Sequence, residues 1–90
     1  MTLFTLGHVV MTRGVSASDA SDEVLDFITR HAKGDWGDMS PSDKRMNDKG
    51  LKPASQDRLM SSYVSKGGTK VWVITEWDRS VTTVLLPDEY

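Results

Sequence analysis

Lys70-Val71-Trp72-Val73-Ile74-Thr75-Glu76-Trp77-Asp78-Arg79-Ser80-Val81-Thr82-Thr83-Val84-Leu85-Leu86-Pro87 carries two strand patterns separated by a short polar turn. Val71 to Trp77 and Val81 to Leu86 are rich in β-branched and aromatic residues, which suit a pleated, half-buried surface. Asp78-Arg79-Ser80 supplies the turn, and Pro87 closes the second strand because it cannot donate to a ladder. Thr75, Glu76, Arg79, Ser80, Thr82 and Thr83 nevertheless crowd this apolar neighbourhood. Polar side chains there form either a solvated face or a site.

Upstream, Leu59 to Ser65 alternates as a strand, and Lys66-Gly67-Gly68-Thr69 is a hairpin signal because both glycines accept positive φ. A two-residue Gly67-Gly68 loop predicts Tyr63 opposite Trp72 and Val64 opposite Val71, with the aromatic pair contributing about 0.2–1 kcal/mol. Together the three strands make a C-terminal antiparallel meander.

The first half of the chain reads differently. Residues 3–12 predict a strand with Phe4, Leu6, His8 and Val10 on one face, interrupted at Gly7 and ended by Gly14. Residues 16–21 read as a polar loop. Ser21 is then an N-cap, Asp22 and Glu23 occupy the dipole-favoured first turn, and Val24, Leu25, Phe27 and Ile28 form an apolar face. Arg30, His31 and Lys33 sit in the last turn before Gly34, so the spacing predicts a helix over about residues 22–33. Trp36, between glycines, folds back on the core. Ser40-Pro41 reads as N-cap and first residue of a short helix over 41–49, stopped by Gly50. The class is therefore α+β: one main helix and a short second helix on an antiparallel sheet of three to four strands, with the first strand joining an edge.

Ninety residues suffice for a single domain, 1–90, with one small core. A hydrophobic fraction of 38% against 27% charged residues describes a globular chain. Without cysteine there is no disulfide or thiolate metal site, and two histidines are too few for a structural zinc centre. Asp35 and Asp38 have no third ligand in reach, so no metal and no cofactor is expected. No apolar run approaches a membrane span and the first residues lack a signal pattern, so a cytoplasmic location without a membrane partner is expected. Net charge is −2 but segregated: residues 41–70 carry seven bases against three acids, and both flanking segments are acidic. The middle segment is either an ordinary solvated surface or a basic face for phosphate or an acidic partner.

Candidate functional residues each have two readings. His31 either packs with its nitrogens satisfied or, at a helix C-terminus that favours imidazolium, serves as an acid or phosphate contact. Glu76 and Arg79 form either a surface ion pair or a base and an anion clamp. Tyr63 is either half of an aromatic pair or a catalytic phenol. Trp36, Trp72 and Trp77 either pack or stack on bases. Trp36, Lys44, Arg45, Lys49, Arg58, Trp77 and Arg79 are the candidate binding residues.

The string from Arg30 to Asp38, with Asn47, Ser61 to Tyr63 and Trp72 to Tyr90, resembles a family of small uncharacterised proteins. These are carried on bacterial plasmids, prophages and integrative elements, and some are labelled type I restriction modification subunits. The chain is too short for a methyltransferase and has no Asn-Pro-Pro-Tyr-type motif, so the resemblance implies a setting and not a mechanism. The helix-then-meander order is also similar to small ribonucleases of the barnase, RelE and colicin-nuclease type. That likeness implies Glu76 as base, His31 as acid, Arg79 on the scissile phosphate and Tyr63 assisting.

Two functions follow as expectations. The first is a non-catalytic accessory protein of a mobile element that binds a host protein or protein–nucleic-acid complex, such as a defence complex it inhibits, with RNA or DNA as the other candidate partner. The second is a metal-independent ribonuclease-like toxin. A homodimer through a sheet edge is a further expectation.

Overall fold

The meander predicted for the last third forms as β2 (Leu59–Val64), β3 (Lys70–Thr75) and β4 (Val81–Leu85) of a computed structural model that describes residues 2–90. Before them come β1 (His8–Met11), α1 (Arg13–Ala17), a 3₁₀ turn (Asp19–Glu23), α2 (Val24–Ala32) and α3 (Pro41–Gly50). The sheet order is β1-β4-β3-β2. β2, β3 and β4 are antiparallel neighbours, while β1 lies parallel to β4 with His8 beside Val81 and Met11 beside Val84. The α+β class holds, and the fourth strand makes the sheet mixed. A parallel partner is available to β1 because α1, α2 and α3 carry the chain away and β4 returns from the far side.

The predicted Gly67-Gly68 register is corrected by one residue. Tyr63 pairs with Val71 and Ser62 with Trp72, so the Tyr63–Trp72 pair does not form. The loop closes one step further out: Ser65 N donates to Thr69 O at 2.9 Å and Gly68 N to Ser65 O at 2.9 Å, with Gly68 alone at φ 92°. Burial decides the slip, because moving a strand by one residue would turn its whole inward set outward. Tyr63, Val71, Val73 and Val84 share the inner face and are all but inaccessible. The Asp19 carboxylate then locks the loop by accepting from Ser65 Oγ at 2.6 Å, Gly67 N at 3.1 Å and Thr69 Oγ1.

α2 covers the inner face. Val24, Phe27, Ile28 and His31 recur at helical spacing, and Phe27 stacks on Tyr63 with ring centroids 5.0 Å apart. Burying such a ring stabilises the fold by about 2–3 kcal/mol. Leu25, assigned from spacing to the apolar face, is 77% exposed. Ser21 is not the N-cap: Ser18 caps the preceding 3₁₀ turn through Ala20 N, and α2 continues from that turn without a side-chain cap. The stop is as read, with Gly34 at φ 83° and its N–H on His31 O. Ser40 caps α3 through Asp43 N, with Pro41 as its first residue.

The N-terminal strand is shorter than residues 3–12. Gly7, at φ 65°, breaks the extended run, so Phe4 and Leu6 do not share a strand face with His8 and Val10. Phe4 instead packs edge-on to His31 and stacked on Trp36. Residues 13–23, read largely as loop, fold into α1 and the 3₁₀ turn around the fully buried Val15 and Ala20. Among the described residues, no helix is long and apolar enough to cross a membrane.

A Cβ at Gly7 would stand 2.3 Å from Ser80 O, whereas one at Gly68 would meet nothing within 4 Å. Both positions have positive φ, which costs a non-glycine residue about 1 kcal/mol. Gly68→Ala is therefore expected to lose about 1 kcal/mol and Gly7→Ala about 3 kcal/mol or more, since backbone must also move. Urea midpoints of the two variants measure the difference; equal losses would contradict the close approach of the Gly7 segment to the β3–β4 turn.

Candidate functional site

Strand alternation sends the residues of the meander to two separate faces. On the inner face His31 is fully buried, together with Ser61, Thr75 and Thr82. Thr82 Oγ1 donates to the Leu6 carbonyl at 2.7 Å, so it accepts from Thr75 Oγ1 at 2.7 Å. Thr75 then accepts from His31 Nε2–H at 2.9 Å, which leaves Nδ1 to accept from Ser61 Oγ at 2.5 Å. This chain of donors assigns one neutral tautomer. Burial, with repulsion from Arg79 added, pushes the imidazole down to about 4, the reverse of the helix-terminus expectation. Thr75 and Thr82 are thus not a solvated face; they terminate a buried relay, while Thr83 takes the outer face.

The proposed catalytic set is not brought together. His31 and Tyr63 lie buried on the inner face, and the Tyr63 hydroxyl donates to Asp35 O at 2.6 Å, its ionisation pushed up to about 12 by burial. Glu76 projects to the outer face, beside a shallow hollow lined by Ile74, Thr83 and Leu85. The sheet itself therefore separates acid from base. Arg79 forms no ion pair with Glu76. Its guanidinium donates to three backbone carbonyls: Asp57 at 2.6 Å, Gly50 at 2.8 Å and Glu76 at 3.2 Å. The middle segment does fold against this turn, but through Arg79 and through Gln56 Nε2, which donates to Trp77 O at 2.6 Å.

The candidate binding residues scatter likewise. Trp36 is buried, its indole N–H on Asp48 at 3.0 Å. Trp77 stands 62% exposed at the β3–β4 turn. Lys44, Arg45 and Lys49 are exposed on α3, with Arg45 and Lys49 on the side away from the buried Asn47. Arg58 alone of the set lines a sizeable concavity.

That concavity is a groove of about 450 Å³ between α3 and the outer face of β2 and β3. α3 is held there because Asn47 reads the open edge of β2 as a strand would: Nδ2 donates to Met60 O at 2.7 Å and Oδ1 accepts from Met60 N at 3.1 Å. The 36–38 segment continues the seal, Ser62 N donating to Trp36 O and Asp38 N to Ser62 O. Met39, Met46, Met60 and Trp72 supply the groove's apolar surface; Asp38 and Asp43 stand on one wall, Arg58 and Lys70 on the other. Arg58 also donates to the Tyr90 hydroxyl at 2.5 Å, and Tyr90 meets the Trp72 ring edge-on at 5.8 Å. Ser62 lines the groove at 2% exposure, and its Oγ is the one buried side-chain polar atom without a hydrogen-bond partner among the described residues. Spacing in the sequence had no means of marking Ser62, which became notable only once Ser61 turned inward and Ser62 outward.

No protein-family model, curated protein or solved structure matches the chain.

An unfolded histidine titrates near 6.5 and His31 near 4, so the unfolded chain binds the extra proton first. The neutral imidazole therefore contributes fully above about pH 6.5, and roughly 3 kcal/mol is lost as pH falls to about 4. Hydrogen bonds from Ser65, Arg30, Ser80 and Thr12 hold Asp19, Asp35, Asp78 and Glu89 below the usual range, so their contribution is lost in a more acidic window. Urea midpoints from pH 7 to 4 should fall for the natural protein and stay nearly flat for His31→Gln. An equal slope in both would exclude His31 as the cause.

A buried hydroxyl without a partner costs about 1–3 kcal/mol. Ser62→Ala is therefore expected to raise stability by about 1 kcal/mol, read as a higher urea midpoint at unchanged slope; a lower midpoint would show that the hydroxyl is already satisfied in the free protein.

Proposed function

We propose that this protein is a non-catalytic binding module that holds a segment of a protein partner in the groove beside α3. The partnerless Ser62 hydroxyl at the groove wall carries the reading. Evolution tolerates a buried unsatisfied group where a ligand completes it, and the loss is recovered on binding. Three methionines favour the same reading, because flexible thioethers adapt to a partner's apolar side chains. Acidic and basic residues face each other across the groove, a pattern suited to a polypeptide with both signs; a nucleic-acid backbone calls for uniformly basic walls.

The resemblance of residues 30–38 and 72–90 to proteins of mobile elements supplies the setting. There the partner is a host protein of a defence or nucleic-acid-processing complex, met in the cytoplasm. The ribonuclease alternative has the weaker support, since His31 and Tyr63 are enclosed and Arg79 already gives three hydrogen bonds to backbone carbonyls.

Met46 and Lys70 are exposed groove residues whose replacement leaves the core untouched. Immobilised protein is expected to retain a host protein that Met46→Asp and Lys70→Glu each lose by tenfold or so, equivalent to about 1.4 kcal/mol. Nuclease treatment should leave retention unchanged. Equal retention by both variants, or release by nuclease, would overturn the proposal. RNA should remain intact with the purified protein, with or without EDTA; cleavage abolished by Glu76→Gln would establish the ribonuclease instead.

A further inference from the structure

The two edges of the sheet differ. β2 is closed, with Met60 engaged by Asn47 and Ser62 by the 36–38 segment. β1 is open, and all four of its residues, His8-Val9-Val10-Met11, are exposed. It lacks the devices that ordinarily blunt an edge: there is no lysine, no proline, no inward charge and no bulge within it. Val9, Val10 and Met11 are 44%, 47% and 45% exposed, three apolar side chains in a row.

The hydrogen-bond alternation shows which groups are free. His8 N donates to Ser80 O at 2.9 Å and Thr12 N to Val84 O at 3.0 Å, so His8, Val10 and Thr12 address β4. Val9 and Met11 therefore turn their N–H and C=O groups outward. These two residues are placed symmetrically about Val10.

We propose that β1 pairs with β1 of a second copy, antiparallel about a two-fold axis through Val10, to make a continuous eight-stranded sheet. Val9 then exchanges both hydrogen bonds with Met11 of the second copy, and Met11 with its Val9. Val10 meets its own counterpart as the close, non-hydrogen-bonded pair. A second copy fits this edge better than a foreign strand, because the outward groups and the apolar side chains are self-complementary about one residue. The sealed β2 edge stops growth at two copies, so the contact is isologous and closed instead of fibrous. Four residues span only about 13 Å, so the interface is smaller than the roughly 1,200 Å² of a stable complex and the dimer dissociates readily.

The chain has no cysteine, so an introduced thiol reports a single position. Val10→Cys places two thiols at the two-fold axis, whereas Val64→Cys, on the closed edge and similarly exposed at 50%, is the collision control. Under diamide at equal concentration, Val10→Cys is expected to form disulfide-linked dimer at least about tenfold faster, since pairing raises the effective thiol concentration. Light scattering on concentrated protein should show a concentration-dependent dimer that Val10→Lys removes without altering the circular dichroism spectrum. Equal cross-linking rates, or a strict monomer at about millimolar concentration, would overturn the proposal. Capture of a different protein by Val10→Cys without self-linking would likewise assign the edge to a foreign strand.

Discussion

A neutral imidazole sealed in the core is the constraint on which the other parts depend. His31 joins α2 to β2 through Ser61 and to β3 through Thr75; Thr75 and Thr82 extend the chain to β4 and to the Leu6 carbonyl. Five segments, from Leu6 to Thr82, thus share one run of hydrogen bonds. Removing a single member leaves its neighbours buried and unsatisfied, so the network specifies a relative placement more strictly than apolar contact alone. The aromatic rings of Phe4 and Trp36 lie edge-on to the imidazole and exclude water from it.

The buried face of the sheet is mixed: Val71, Val73 and Val84 make its apolar core, and Ser61, Thr75 and Thr82 make a polar strip within it. The inner face spends Thr75, Thr82 and Ser61 on the relay, while the outer face presents Trp72 and Met60 to the groove beside α3. Asn47 explains how a helix can stand at a strand edge: its amide offers the donor and acceptor that a neighbouring strand would offer. One side chain therefore both closes β2 against pairing and builds a wall of the groove. β1, with no such cover, is left as the open side of the sheet.

Arg79 holds the third corner of the structure. It occupies a left-handed backbone position at φ 61°, unusual for a side chain of its size. Three carbonyl contacts offset that strain, and one of them neutralises the C-terminal end of α3 at Gly50. The Glu76–Arg79 turn thus anchors residues 50–58 instead of exposing a charged pair. A sequence reader sees a carboxylate and a guanidinium three residues apart; the fold sends the first outward and gives the second to backbone.

Local chemistry alone determined the α+β class, the body and C-terminal stop of α2, the Ser40-Pro41 start of α3 and the three strands of the meander. Each rests on residues within a few positions of one another: periodicity, caps, glycine at positive φ. The one-residue hairpin register, the parallel partner of β1, the folding of residues 13–23 and the burial of His31 were decided by tertiary structure. So was the groove, because Ser62 differs from Ser61 only in the side of the sheet it takes. These depend on contacts between residues 13 to 76 positions apart, such as Asn47 with Met60 and Leu6 with Thr82, whose energies exist only after the chain has closed on itself.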